Sequence, residues 1–253
     1  MEVRAKKQLG QHFLKDESIA RRIAESTSHL SKQLLEIGPG MGVLTKYLIE
    51  DQAYSLTAIE IDSESVVYLH EHYPTLSVIE GDFLRMDLTR QFDGPLTVIG
   101  NFPYNISSQI LFKVYDNRNQ VPEVVGMFQK EVAERVAARP GSKTYGILSV
   151  LLSAYYDIEY LFTVDEHVFN PPPKVKSAVI RLKRNDVETL NCNETLFFKV
   201  VKTGFNQRRK TLRNALKPLG MSMDKVDEEL LSKRAEQLTV ENYITLVNQL
   251  QQS

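Results

Sequence analysis

The chain has a single cysteine, Cys192, among its 253 residues. One thiol excludes an internal disulfide framework and any Cys-rich zinc site, and it suits a reducing compartment. Neither sign of charge is in excess: 31 Lys and Arg stand against 32 Asp and Glu, a formal net charge of −1. Global charge therefore points to no polyanion partner, and a nucleic-acid surface has to come from local segregation. Long apolar runs are missing too. The longest, 147–156, is about half of what a bilayer requires. The polar, basic start of the chain has no apolar centre and does not read as a secretory signal. No repeat or low-complexity tract is found. These absences predict a soluble, cytoplasmic protein, a monomer, with no metal site.

What is present is an ordinary globular composition, 42% hydrophobic and 25% charged. Short apolar runs at 34–37, 56–60, 76–79, 96–99 and 123–128 read as strands. Helical spacing lies between them, at 43–50, 63–72 with Ser63 as N-cap, and 107–115. Such alternation predicts βαβ units and a mostly parallel sheet. A buried helix is expected at 146–156, and late strands at 160–164 and 177–182. From Thr195 onward the pattern is helical only. The polar stretch 184–193 marks a boundary between a catalytic domain, 1–184, and a small all-helical domain, 185–253, too small for much core of its own.

The first strand runs into Gly38-Pro39-Gly40-Met41-Gly42. Glycines there let the backbone approach a ligand, and the helix N-terminus behind them favours negative groups. The spacing is G-x-G-x-G, which fails the G-x-G-x-x-G fingerprint of dinucleotide binders. Glu60 closes the second strand, where a carboxylate can accept the hydroxyls of a ribose. Asp82 follows the third strand and can accept from an adenine amine or simply form a turn after Gly81. Gly38, Gly40, Glu60 and Asp82 together point to a nucleoside cofactor without phosphates, S-adenosyl-L-methionine in preference to NAD.

Asn101-Phe102-Pro103-Tyr104 begins where the fourth strand ends, at the carboxyl edge where open α/β sheets bind ligands. The amine of adenine is a weak nucleophile because its lone pair is delocalised into the ring. Two acceptors on its N–H groups favour a pyramidal nitrogen. The Asn101 side-chain carbonyl and a backbone carbonyl near Pro103 can be those acceptors. Pro103 stiffens the turn, and Tyr104 offers a stacking face worth roughly 1–3 kcal/mol per base. Attack on a sulfonium methyl needs positioning more than a general base, so the lack of a Ser/His/Asp constellation is expected.

Charge segregates locally. Thr195 to Met223 contains no acid, and Arg208, Arg209, Lys210 and Arg213 are expected to line one helix face. Arg4, Lys6 and Lys7 form a second basic patch, on an N-terminal arm expected to be mobile. Lys130, Arg135, Arg139 and Lys143 form a third.

Several separate motifs resemble one family, the KsgA-type small-subunit rRNA adenine dimethyltransferases. They are 7–14 (KQLGQHFL), 35–42 (LEIGPGMG), 101–107 (NFPYNIS), 168–175 (VFNPPPKV) and 205–214 (FNQRRKTLRN). The resemblance covers nearly the whole chain. It implies a Rossmann-like class I methyltransferase sheet of seven strands, with a C-terminal helical domain that binds RNA. By it, His12, Leu14, Gly38, Glu60, Asp82 and Asn101 line the cofactor site. Asn101, Tyr104 and Phe169 hold the target adenine, with Phe169 clamping the base across from Tyr104. Lys174, in the proline box, joins the RNA contacts. The implied reaction is double N6-methylation of two adjacent adenines in the 3′-terminal hairpin of small-subunit (16S) rRNA, in a pre-30S particle. Two departures are visible: Phe102 where Leu is more usual, and Lys176 where a polar or acidic residue is common. Alternatives are a large-subunit methyltransferase of macrolide-resistance type, a ribosome-assembly factor with a checkpoint role, and a NAD oxidoreductase.

Overall fold

The computed structural model describes residues 3–252. Its strands are β1 (Phe13–Leu14), β2 (Gln33–Ile37), β3 (Ser55–Glu60), β4 (Ser77–Glu80), β5 (Leu96–Asn101), β6 (Glu123–Gln129), β7 (Tyr156–Val164), β8 (Phe169–Asn170) and β9 (Ser177–Arg184). The main sheet has seven strands in the order β4-β3-β2-β5-β6-β9-β7. From β4 to β6 neighbours pair in parallel, and β9 returns antiparallel to β6. Parallel neighbours need crossovers. The helices Thr45–Glu50, Ser63–His72 and Ser107–Asp116 lie in them. This is the expected α/β architecture of a class I methyltransferase.

The central strands read as unbroken apolar runs because both of their faces are covered. In β2, Leu34 and Leu35 are fully buried, and so are Val98 and Ile99 in β5. From β2 the chain builds β3 and β4 on one side, then places β5 on the other. The order of strands reverses between β2 and β5, and open α/β sheets form a ligand crevice at such a point.

Local details differ from the sequence reading. Asp62, not Ser63, caps the helix Ser63–His72, its carboxylate accepting from the Glu64 amide at 3.2 Å. The buried helix is shorter, Ile147–Ser153, and β7 begins at Tyr156. A small antiparallel pair, β1 with β8, sets Leu14 opposite Phe169. Neither two-residue strand is long enough to show periodicity. The N-terminal arm is docked and not mobile: Val3 is buried, and Lys6 forms ion pairs with Asp62 and, at 3.1 Å, with Glu64.

Internal contacts divide the chain into two compact units. One holds the residues up to Ala133 together with Ile158–Arg184; the other holds Glu134–Asp157 and the chain from Asn185 onward. Residues 134–157, read from the sequence as part of the first domain, thus belong with the C-terminal helices. The reason is apolar packing: Leu151 and Leu152 are fully buried, and their helix lies against Glu194–Asn206. In the same unit Phe197 meets Tyr243 edge-on at 6.3 Å, and the buried Tyr243 hydroxyl donates to the Ala235 carbonyl at 2.8 Å. Among the described residues, no helix is long and apolar enough to cross a membrane.

Phe102 is fully buried and packs edge-on against Phe128 at 5.0 Å. Its ring occupies the space beside Gly126, where an added Cβ would lie 2.3 Å from the ring. The larger side chain at 102 is therefore accommodated by a residue with no side chain on the next strand. Gly126→Ala is expected to lower the unfolding free energy by ~1–3 kcal/mol through overpacking, read as a lower denaturation midpoint. Adding Phe102→Leu should recover part of that loss in the same denaturant titration.

Candidate active site

The carboxyl ends of β2 and β5 form the walls of a cleft lined by Gly38, Gly40, Asn101 and Pro103. After β2 the glycine turn puts Gly38 at φ +66° and Gly40 at φ +57°. A side chain at Gly40 would be strained, and its Cβ would fall 2.8 Å from the Phe13 ring. Across the cleft, Pro103 approaches Gly38, with 3.7 Å between its Cδ and the position of a Cβ on that glycine. Gly38 and Pro103 thus face each other at ordinary van der Waals distance across the cleft.

Glu60 ends β3 and faces the same cleft. It is 3% exposed. One carboxylate oxygen accepts from the Gly40 amide at 3.0 Å; the other accepts from the amides of Ile61 and Asp62, each at 2.9 Å. Burial pushes this carboxyl above its ordinary pKa, opposed by the three backbone donors. Two carboxylate oxygens offer about four acceptor sites, so capacity remains for a hydroxyl.

Asn101, the last residue of β5, donates its side-chain amide to the His12 carbonyl at 3.0 Å. With the amide nitrogen held there, the side-chain oxygen remains as an acceptor at the cleft. Tyr104 follows the turn. Its ring stacks on His12 with centroids 5.3 Å apart, and its hydroxyl is hydrogen-bonded to Ser177. The His12 ring is anchored in turn, its Nδ1 2.8 Å from the Pro171 carbonyl.

His12, Gly38, Gly40, Glu60, Asn101, Pro103 and Tyr104 thus come together along one cleft. Leu14 does not reach it. That residue is 5% exposed and pairs with Phe169 in the β1–β8 ribbon. Asp82 lies outside the lining as well. It caps a 3-10 turn, accepting from the Leu84 amide at 2.9 Å. Phe169 is 1% exposed within the core that includes Leu14, Ile23 and Val179. In this structure the ring is enclosed by that packing and presents no open face.

Sequence reasoning missed the strap formed by Leu9, Gly10 and Gln11, which closes one side of the cleft. The Gln11 amide and the Lys6 ammonium both donate to the buried Asp62 carboxylate. Burial acts to raise that carboxyl, but the bonds from Lys6 and Gln11 outweigh it and hold the group below its usual range. Ser177 was missed too, since nothing in a strand's first residue marks it as a partner of a tyrosine far earlier in the chain.

A family model described as ribosomal RNA adenine dimethylase matches residues 2–252. The chain belongs to that family. A ribosomal RNA small subunit methyltransferase A from Cytophaga hutchinsonii is 60% identical over 252 residues, 98% of each chain. The protein of the same name from Bacteroides thetaiotaomicron is 57% identical over 256 residues, 99% of this chain and 96% of that one. Among solved structures, a dimethyladenosine transferase from Plasmodium falciparum superposes with a TM-score of 0.77 at 26% identity, covering 95% of this chain and 98% of that one. The 23S rRNA methyltransferase ErmE gives 0.73 at 25% identity, with 94% and 99% covered.

Phe102 is fully buried where it borders the cleft, and Lys176 is ion-paired with Asp165. The basic cluster of the C-terminal unit is arranged differently from a helix face. Arg208, Arg209 and Lys210 occupy the turn between the helices Glu194–Asn206 and Leu212–Ala215. Arg208 is tied to Glu236 at 3.6 Å and to the carbonyls of Ser142 and Lys143, and Arg213 pairs with Glu228. Arg209 and Lys210 are exposed, and in the first unit so is Lys174.

Behind the glycine turn, Glu36 is 1% exposed and accepts from the Thr45 hydroxyl at 2.7 Å. Burial raises its pKa to about 8, the Thr45 bond opposing and the Glu60 charge reinforcing the shift. A carboxyl whose folded pKa exceeds its unfolded value binds more protons when folded. Stability is then greatest at low pH and declines as pH rises through the interval from about 4.5 to about 8. Glu36→Gln, which keeps the shape and cannot ionise, is expected to flatten that decline in denaturation midpoints measured across the interval.

Proposed function

We propose that this chain dimethylates N6 of two adjacent adenines in the 3′-terminal hairpin of small-subunit rRNA, as a monomer acting in the cytoplasm on a pre-30S particle. Membership of the rRNA adenine dimethylase family and relatives named small-subunit methyltransferases support that substrate. The observation that carries the chemistry is the orientation of Asn101, whose amide is committed to the His12 carbonyl.

S-adenosyl-L-methionine, when bound, would supply an electrophilic methyl for N6, the carbon–sulfur pair remaining on sulfur and an N6 proton leaving to water. The site fits such a cofactor: a backbone-lined turn at Gly38 and Gly40 without a pyrophosphate fingerprint, and a buried carboxylate on Glu60 for the ribose. His12 and the Asn101 backbone complete the wall, while Leu14 and Asp82 support it from just outside the cleft. The Asn101 side-chain oxygen and the Pro103 carbonyl accept from the two N6–H groups and leave the lone pair free. Tyr104 supplies ring surface for the unstacked base. No residue need act as a base, because positioning carries the step. Within the C-terminal unit, exposed Arg209 and Lys210 take phosphate contacts, with Arg208 and Arg213 shaping their surroundings; within the other unit, exposed Lys174 takes a phosphate contact of its own.

A large-subunit target of the ErmE kind has weaker support, 25% identity against 60% for a small-subunit relative. Mass-spectrometric mapping of dimethyladenine decides the matter, with 30S-type particles and protein-free large-subunit rRNA as rival substrates. Dimethyladenine in the small-subunit hairpin is expected; modification of the large-subunit RNA alone would overturn the proposal. Asn101→Ala should slow methylation by roughly 10²-fold or more, as expected when a positioned base loses its alignment. Affinity for the particle should fall steeply with salt, log K declining by about 0.7–0.9 per phosphate contact for each log unit of salt. A salt-insensitive affinity would refute the phosphate contacts.

A further inference from the structure

Tyr104 is held at both ends. Its backbone follows Pro103, and its carbonyl accepts from the Ser107 hydroxyl at 3.1 Å. Its phenol oxygen meets the Ser177 hydroxyl. Ser177 is fully buried at the head of β9 and sits opposite Gln129 of β6. The residue before it accepts from the Lys130 amide at 2.9 Å through its carbonyl. The same β6 pairs Met127 with Asn101 and takes the Phe102 amide at 3.2 Å. Ser177 and the catalytic turn are therefore referenced to one strand, and the ring between them has little freedom to rotate. Burial raises the pKa of the Tyr104 phenol, the Ser177 bond opposing, so the hydroxyl keeps its proton for this contact.

The reaction makes a particular demand on that ring. In the first transfer the base presents two N–H groups to the acceptors at Asn101 and Pro103. After it, one N–H has been replaced by a methyl, and one of those hydrogen bonds can no longer form. The second transfer exchanges the last N6 proton, released to water, for another methyl, while the carbon–sulfur pair again stays on sulfur. Monomethyladenine must then be held mainly by stacking. A ring free to tilt loses more in the second step than in the first.

We propose that Ser177 is a positioning residue that acts through Tyr104 and determines how completely the enzyme proceeds from monomethyl- to dimethyladenine. This rests on the reading of Tyr104 as the stacking surface.

The test is the ratio of N6-monomethyl- to N6,N6-dimethyladenine in the treated particle, measured by mass spectrometry at matched total methyl incorporation. Loss of folded enzyme lowers total incorporation and leaves that ratio unmoved. Ser177→Ala is expected to raise the ratio several-fold. Tyr104→Phe removes the same bond from its other end without altering β9 and should do likewise. The double variant should go no further than either single one. A parental ratio in Tyr104→Phe, or additive effects in the double variant, would overturn the assignment. Tyr104→Ala separates the two levels. If it methylates normally, the stacking reading itself fails. If it is impaired while Ser177→Ala keeps the parental ratio, only the role of Ser177 is lost.

Discussion

The cleft depends on how closely the carboxyl ends of β2 and β5 can approach. A parallel sheet that reverses its order opens a crevice there, but the width of the crevice is set by what leaves each strand. β2 leaves through backbone alone, at Gly38 and Gly40, and β5 leaves through Asn101 and a proline-stiffened turn. With Pro103 packed near Gly38, a cofactor on the glycine side and a base on the Asn101 side, as proposed, would lie within reach of each other. A side chain on Gly40 would run into the Phe13 ring. The buried apolar runs of β2 and β5 supply the rigidity that keeps the separation constant.

Acids near the cleft are treated in three different ways. Glu60 is buried and supplied with three backbone amides. Asp62 is buried and supplied with the Lys6 ammonium and the Gln11 amide. Glu36 has only a hydroxyl, and burial leaves it protonated near neutral pH. The differences follow from the cost of burying charge without donors. They also explain why the N-terminal strap is ordered. Lys6 neutralises a carboxylate at the cap of the helix Ser63–His72, which fastens the strap, and the strap's His12 carbonyl then orients Asn101.

Catalysis by such a site is orientation rather than proton transfer. Three polar side chains proposed to lie around the base are each committed to a protein partner. The Asn101 amide is bonded to the strap, the Tyr104 hydroxyl to Ser177, and the His12 ring to the Pro171 carbonyl. Prior commitment of this kind is what holds a near-attack geometry within the tolerance that transfer requires.

The amino-acid sequence by itself determined the core strands, the glycine turn, the acid that ends β3 and the tetrapeptide that begins at the end of β5. Periodicity and turn chemistry are local signals, and these features are local. It also carried the family motifs, because each is a contiguous run. The tertiary structure alone decided the rest. Phe169 and Leu14 sit in readable motifs, yet a two-residue ribbon turns them into the core. Lys6 reads as a free cation until Asp62, far along the chain, is placed beside it. Residues 134–157 join the C-terminal helices because their apolar face finds its partner there. Ser177 meets Tyr104 through the register of β9 on β6. Pairings between distant segments depend on three-dimensional packing, which leaves no periodic trace in the chain.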